Sequence, residues 1–218
     1  MVIIFDLNGT LTDPAPIGTP WGRPDLGLEV LGLAVQSAMT DAILGDYRPF
    51  TEHMRSALTV VIRRRGLPED GIEAALQRAA SLPARPEAPQ ALSLLAEARL
   101  RLAVLTNSGA EAGRATLEAN GLIDRFDQVI GVDAVRRFKP HAAVYQYALR
   151  SLDVDPVDAL LVAAHSWDVW GAKRAGLRTA WISRDERVFP PAAPDPDVRA
   201  EDLVKAARAI VPLMGRAQ

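Results

Sequence analysis

Short apolar runs punctuate the chain, each ending at a turn or polar residue: Val2–Phe5, Leu102–Leu105, Gln128–Gly131, Leu160–Ala163 and Thr179–Ile182. They are continuous rather than alternating, as expected of strands buried on both faces of a parallel sheet. Between them, Ala91–Arg99, Ala110–Asn120, Ala142–Leu152 and Val169–Ala175 are long enough for crossover helices. Strand and helix in alternation predict an α/β fold, a doubly wound parallel sheet with right-handed connections.

One segment breaks that rhythm. From about Pro14 to about Pro86 the chain offers no strand, only helical spacing: Leu28, Leu31, Val35, Ala38, Met39 and Ala42, then Met54, Leu58, Val61 and Ile62. Prolines punctuate its entry (Pro14, Pro16, Pro20) and its exit (Pro83, Pro86, Pro89). The expected organisation is a core of residues 1–13 and 88–218 with an all-helical insertion at 14–87. After Phe189 a proline-rich stretch, 190–196, reads as a loop, followed by a final amphipathic helix near Val198–Val211.

Composition narrows the classes. The formal charge is -2, and no basic run exceeds Arg63-Arg64-Arg65, so a nucleic-acid partner is not expected. There is no cysteine, which removes disulfides and thiolate chemistry and suits a reducing cytoplasm. Val2–Phe5 is too short for a signal core, and no stretch is expected to reach the roughly 20 apolar residues of a membrane span, so no membrane partner is expected.

In an open α/β sheet the ligand site lies beyond the carboxyl ends of the strands. The first strand ends in Asp6-Leu7-Asn8-Gly9-Thr10, where a carboxylate followed by a flexible turn faces a crevice. Taken alone, Asp6 reads better as a turn or helix-capping residue. The second ends in Thr106-Asn107-Ser108-Gly109, which suits either an anion or a helix cap. Lys139 stands before Pro140 at a strand-to-helix junction in a chain with few lysines. His165 and Asp168 follow the fourth strand; singly, they read as a structural histidine and an N-cap.

Taken in order, Phe5-Asp6-x-x-Gly9-Thr10-Leu11-x-Asp13, Leu105-Thr106-Asn107-Ser108, Lys139-Pro140 with Tyr145, and His165-Ser166-Trp167-Asp168-Val169-x-Gly171-Ala172 resemble the motifs of the haloacid dehalogenase superfamily, specifically its 2-haloacid dehalogenase branch. The resemblance implies a Rossmann-like core with a helical cap and a hydrolase that uses no cofactor. By it, Asp6 is the nucleophile, Thr10 and Asn107 position it, Thr106 binds substrate and Lys139 neutralises the carboxylates. Tyr145, His165, Trp167 and Asp168 complete the pocket and the water-activating network. Two carboxylates at adjacent strand ends repel, and an ammonium between them keeps both ionised.

Phosphatases of the superfamily carry an acid two residues after the nucleophile; here that position is Asn8, where the dehalogenase branch usually has tyrosine. Ala164 stands where a further metal-binding acid is usual, so no metal is expected. The branch also carries a cap arginine that receives the halide, and alignment puts Leu31 there; Arg23 is the candidate replacement. The expected partner is a small molecule, with a 2-halo carboxylic acid as the candidate, and a homodimer is an open expectation. The competing readings are a small-molecule phosphatase and a non-catalytic binding protein on the same fold.

Overall fold

A computed structural model describes residues 1–214. Six parallel strands, β1 (Val2–Phe5), β2 (Arg101–Thr106), β3 (Gln128–Gly131), β4 (Ala159–Ala163), β5 (Arg178–Ile182) and β6 (Val198–Ala200), lie in the order β3-β2-β1-β4-β5-β6. The winding reverses between β1 and β4, so a crevice opens where Asp6 leaves the sheet.

The pleat sorts the strand residues. Ile4, Leu105 and Leu161 join a core on one side of the sheet with α6 (Ala142–Leu152) and α7 (Ser166–Arg174). Phe5, Val104 and Val162 join a second core with α4 (Ala88–Glu97) and α8 (Leu203–Met214). Helix α5 (Ala110–Ala119) follows β2. Alternate residues bury on opposite faces, which is why these strands read as continuous apolar runs.

Between β1 and α4 stand only helical elements: a 3-10 turn at Ala15–Trp21, then α1 (Leu26–Leu44), α2 (Phe50–Arg64) and α3 (Ile72–Ala79). The chain enters and leaves through two paired segments, with Asp13 N donating to Pro83 O and Arg85 N to Leu11 O, both at 2.8 Å. Helix α1 packs on α2, and its buried Val30, Leu31, Ala34 and Ala38 share one core with Met54, Leu58, Val61 and Ile62 of α2.

Two expectations need correction. The segment from Val198 is not the start of a helix: Val198–Ala200 is a strand on the sheet edge, and α8 begins at Leu203. A three-residue strand whose ends are buried and whose middle is exposed merges with the apolar pattern of the helix that follows. Second, α1 is long and apolar enough, by length and composition, to cross a membrane. In this fold its apolar face covers α2, and it carries a fully buried Asp41 that binds Arg48 and lies 3.2 Å from His53 Nε2.

Candidate active site

Asp6 continues the β1 ladder, its N–H donating to Val162 O at 3.0 Å, and its side chain turns into the crevice. Gly9 follows with φ +86°, and a Cβ there would lie 2.7 Å from the His165 ring, so only glycine admits both the turn and the histidine. The Asp6 carboxylate is fully engaged. Oδ1 accepts from Lys139 Nζ at 2.8 Å; Oδ2 accepts from Thr10 Oγ1 at 2.6 Å and faces His165 Nδ1 at 3.2 Å. Thr10 is itself held, accepting from Ala164 N at 2.9 Å.

Lys139 bridges the two acids. Its ammonium donates to Asp168 Oδ2 at 2.7 Å and to Leu105 O at 2.9 Å, while its backbone N–H donates to Asn107 Oδ1 at 2.9 Å. Tyr145 Oη donates to Asp168 Oδ1 at 2.7 Å, and the Trp167 ring stacks on His165 at 5.3 Å. Lys139 and Asp168 are completely enclosed, so their charges interact through little water.

That enclosure separates the two acids. Burial would raise Asp6, but the Lys139 ammonium and His165 override it and hold Asp6 well below the usual carboxylate range. Burial raises Asp168, and the neighbouring Asp6 charge adds to it despite Lys139. Burial would lower Lys139 and His165, yet the facing carboxylates raise both. Tyr145 is pushed well above its usual value by burial and by Asp168. The result is an ionised Asp6 with an imidazolium and an ammonium against it.

Asp6, Asn8, Thr106, Asn107, His165 and Trp167 line one small pocket together with Leu31, Val35 and Phe50 from α1 and α2. Thr10, Lys139, Tyr145 and Asp168 form a layer directly behind it. Asn107 Nδ2 is buried without a partner, a spare donor at the pocket wall. Arg23 is not brought to the site. Its guanidinium forks onto Asp25 at 2.8 and 2.6 Å, with its side chain 42% exposed, because an acid two residues on satisfies it at the surface. Leu31, by contrast, lies against the pocket, so an aliphatic group stands where a guanidinium was sought.

Sequence reasoning did not find Val35 or Phe50, which reach the pocket from the insertion. Phe50 at the start of α2, just after Pro49, was a weak signal. It also did not find Arg184, which donates to the carbonyls of Gly9 and Thr10 at 3.1 and 3.3 Å and pairs with Glu87, so that it pins the nucleophile turn. Nothing local marks that arginine among so many.

The donors suit a hard dication poorly. Both Asp6 oxygens are taken by Lys139, Thr10 and His165, Asp168 is saturated by Lys139 and Tyr145, and Asn8 and Ala164 add no charge. Among the described residues, no group of three or more His, Asp or Glu is placed to hold a metal.

The family model for haloacid dehalogenase-like hydrolases matches residues 1–176. The chain belongs to that family. This hydrolase is 32% identical to the (S)-2-haloacid dehalogenase of Pseudomonas sp. (strain YL), over 97% of this chain and 93% of that one. It is similar in structure to the L-2-haloacid dehalogenase of Xanthobacter autotrophicus with chloropropionic acid covalently bound, with a TM-score of 0.85 and 28% identity over 96% of this chain and 97% of that chain. It is also 33% identical to a phosphoserine phosphatase of Thermus thermophilus, over 84% of this chain and 74% of that one. The hydrolase fold, the parallel sheet and the dehalogenase branch expected from the motifs are those found.

Proposed function

We propose that this hydrolase displaces halide from a 2-halo carboxylic acid through an Asp6 ester, without metal. The observation that carries the reading is an ionised, pocket-facing Asp6 with Asn8, rather than an acid, beside it. Halide leaves without protonation, so displacement at carbon needs no acid at position 8. The substrate carboxylate is a fitting acceptor for the spare Asn107 Nδ2. The Asp6 carboxylate attacks C2, the carbon–halogen bond breaks with its electrons, and an aspartyl ester forms.

Water then attacks the ester carbonyl carbon, and the likeness to an enzyme holding chloropropionic acid covalently supports such an intermediate. The base we assign is His165. Asp168 is sealed behind Lys139 and Tyr145, whereas His165 lines the pocket with Nδ1 beside Asp6. In the free enzyme the Asp6 carboxylate favours the charged imidazole, against its burial. Esterification abolishes that carboxylate charge, so the imidazolium releases its proton to solvent and becomes a free base. It then takes one proton from the attacking water; the tetrahedral intermediate collapses, the ester C–O bond breaks, the departing alkoxide takes the water's other proton, and Asp6 is regenerated as a carboxylate. The sum is one halide, one hydroxy acid and one proton per water consumed. Lys139 donates to Oδ1 and Thr10 to Oδ2, so the one of the two that faces the oxygen that did not attack stabilises the tetrahedral oxyanion.

The identity to a phosphoserine phosphatase favours phosphate ester hydrolysis as the second reading. A screen of 2-bromo and 2-chloro acids, and of phosphomonoesters, with and without chelator separates the two. Halide release that survives chelation and is lost in Asp6→Asn is expected; magnesium-dependent phosphate release with no halide release would overturn the proposal.

A further inference from the structure

The pocket directly in front of Asp6 has about 10 Å³ of free space, room for one water. It is separated by Asn8, Leu31 and Phe50, which line both spaces, from a cavity of about 290 Å³. That cavity is built by both layers: Met54 of α2, Leu76 and Ala79 of α3, and Ile17 come from the insertion, and Ala112 of α5 from the sheet side. Its walls are predominantly apolar, with Asn8 and Ser108 at the end nearer Asp6, joined by a 3.3 Å hydrogen bond.

An apolar space of about 150 Å³ is already enough to take up a benzene ring, and this one is nearly twice as large. A chain of two or three carbons would leave it empty. Small side chains keep it open: Ala79 of α3 and Ala112 of α5 line it where larger residues would fill it, and Ala80 and Ala112 are exposed, so the cavity reaches solvent on that side. It adjoins the nucleophile on the side of Asn8, the position where the dehalogenase branch usually carries a bulky tyrosine.

We propose that this cavity receives an unbranched, medium-length alkyl tail borne on C2 of the acid, with Leu31 and Phe50 as the apolar passage between tail and reacting carbon. The inference rests on the haloacid reading for its reactive group, but the tail site itself rests on the cavity. The class of substrate is then a 2-halo fatty acid rather than a haloacetate or halopropionate.

The test has two arms. In the first, kcat/KM is measured for 2-bromopropanoate, 2-bromohexanoate and 2-bromooctanoate. It is expected to rise by up to about fourfold per added methylene, the gain from burying each group. Ala79→Trp and, as a second blocking variant in case the first fails to fold, Ala112→Phe should lower the value for the octanoate more than for the propanoate. A flat or falling series in the parent enzyme would overturn the proposal.

In the second arm, binding of unreactive propanoate, hexanoate and octanoate is measured by calorimetry. Tighter binding of octanoate, lost in a blocking variant, supports the tail site even if no halide is ever released, in which case only the haloacid reading falls. Equal affinity for propanoate and octanoate overturns the tail site even if 2-bromopropanoate is turned over.

Discussion

Lys139 exposes nothing to solvent, yet two carboxylates share its ammonium, and the division of labour between Asp6 and Asp168 follows from that placement. Removing the ammonium would leave two buried like charges facing each other. Lys139→Met should therefore abolish turnover and lower stability by about 3 to 5 kcal/mol, read by denaturant unfolding. Equal stability would mean that the acids are not both ionised. His165 gives a pH signature. Asp6 favours its protonated form in the free enzyme and the neutral ester does not, and hydrolysis of the ester requires the neutral imidazole. As pH falls, kcat should drop through the imidazole's value in the ester, and His165→Gln should have a low kcat without that inflection. An unchanged profile in the variant would remove histidine from the base role. With Leu31 in place of a cap guanidinium, no arginine is among the described residues lining the pocket to receive the departing halide, so bromo acids should outpace chloro acids by an order of magnitude or more. Asp6, Thr106, Asn107 and His165 were legible because they sit at or just past strand ends, where the fold fixes the direction of the side chain, whereas Lys139, Tyr145 and Asp168 lie in the following loop or helices and stood out only as part of the motifs. Arg23 was misread because residue type shows a guanidinium but not that Asp25 already holds it.

Helices and strands place these groups through close approaches that only small residues allow. Gly171 of α7 lies against α6 so tightly that a Cβ would meet Tyr145 Oη and Pro140 Cβ at 2.5 Å. Gly171→Ala should push the tyrosine off Asp168, lowering kcat while the fold persists. An unaltered kcat would mean that the Tyr145 to Asp168 hydrogen bond has no part in catalysis. The role of this glycine belongs to a motif, but its reason is a contact between two helices that no local spacing reveals. The sheet was legible for the opposite reason: strands buried on both faces write themselves as continuous apolar runs. Strand β6 escaped because three residues are too few to establish a period.

At the scale of the molecule, the helical insertion meets the sheet layer at Phe138, the residue before Lys139. Tyr47 stacks on its ring at 5.3 Å, Phe50 lies at 6.2 Å, and His53 approaches edge-on at 5.3 Å. Phe138→Ala should cost about 3 to 5 kcal/mol by opening a cavity at this junction. It should also free Lys139 and reduce turnover; thermal unfolding and halide release measured on one preparation check both. That only helices stand between β1 and α4 was readable, since the strand rhythm stops there. Which aromatic residues clasp which was not, because Tyr47, Phe50 and Phe138 are brought together by tertiary packing over about 90 residues of chain.

In this mechanism the product's new oxygen comes from Asp6. A single turnover of 2-bromopropanoate with enzyme in excess, run in water enriched in heavy oxygen, tests it by mass spectrometry of product and peptides. The expected result is unlabelled hydroxy acid and one heavy oxygen in the peptide that contains Asp6. Heavy oxygen in the product, with an unlabelled Asp6 peptide, would show direct attack by water and contradict it.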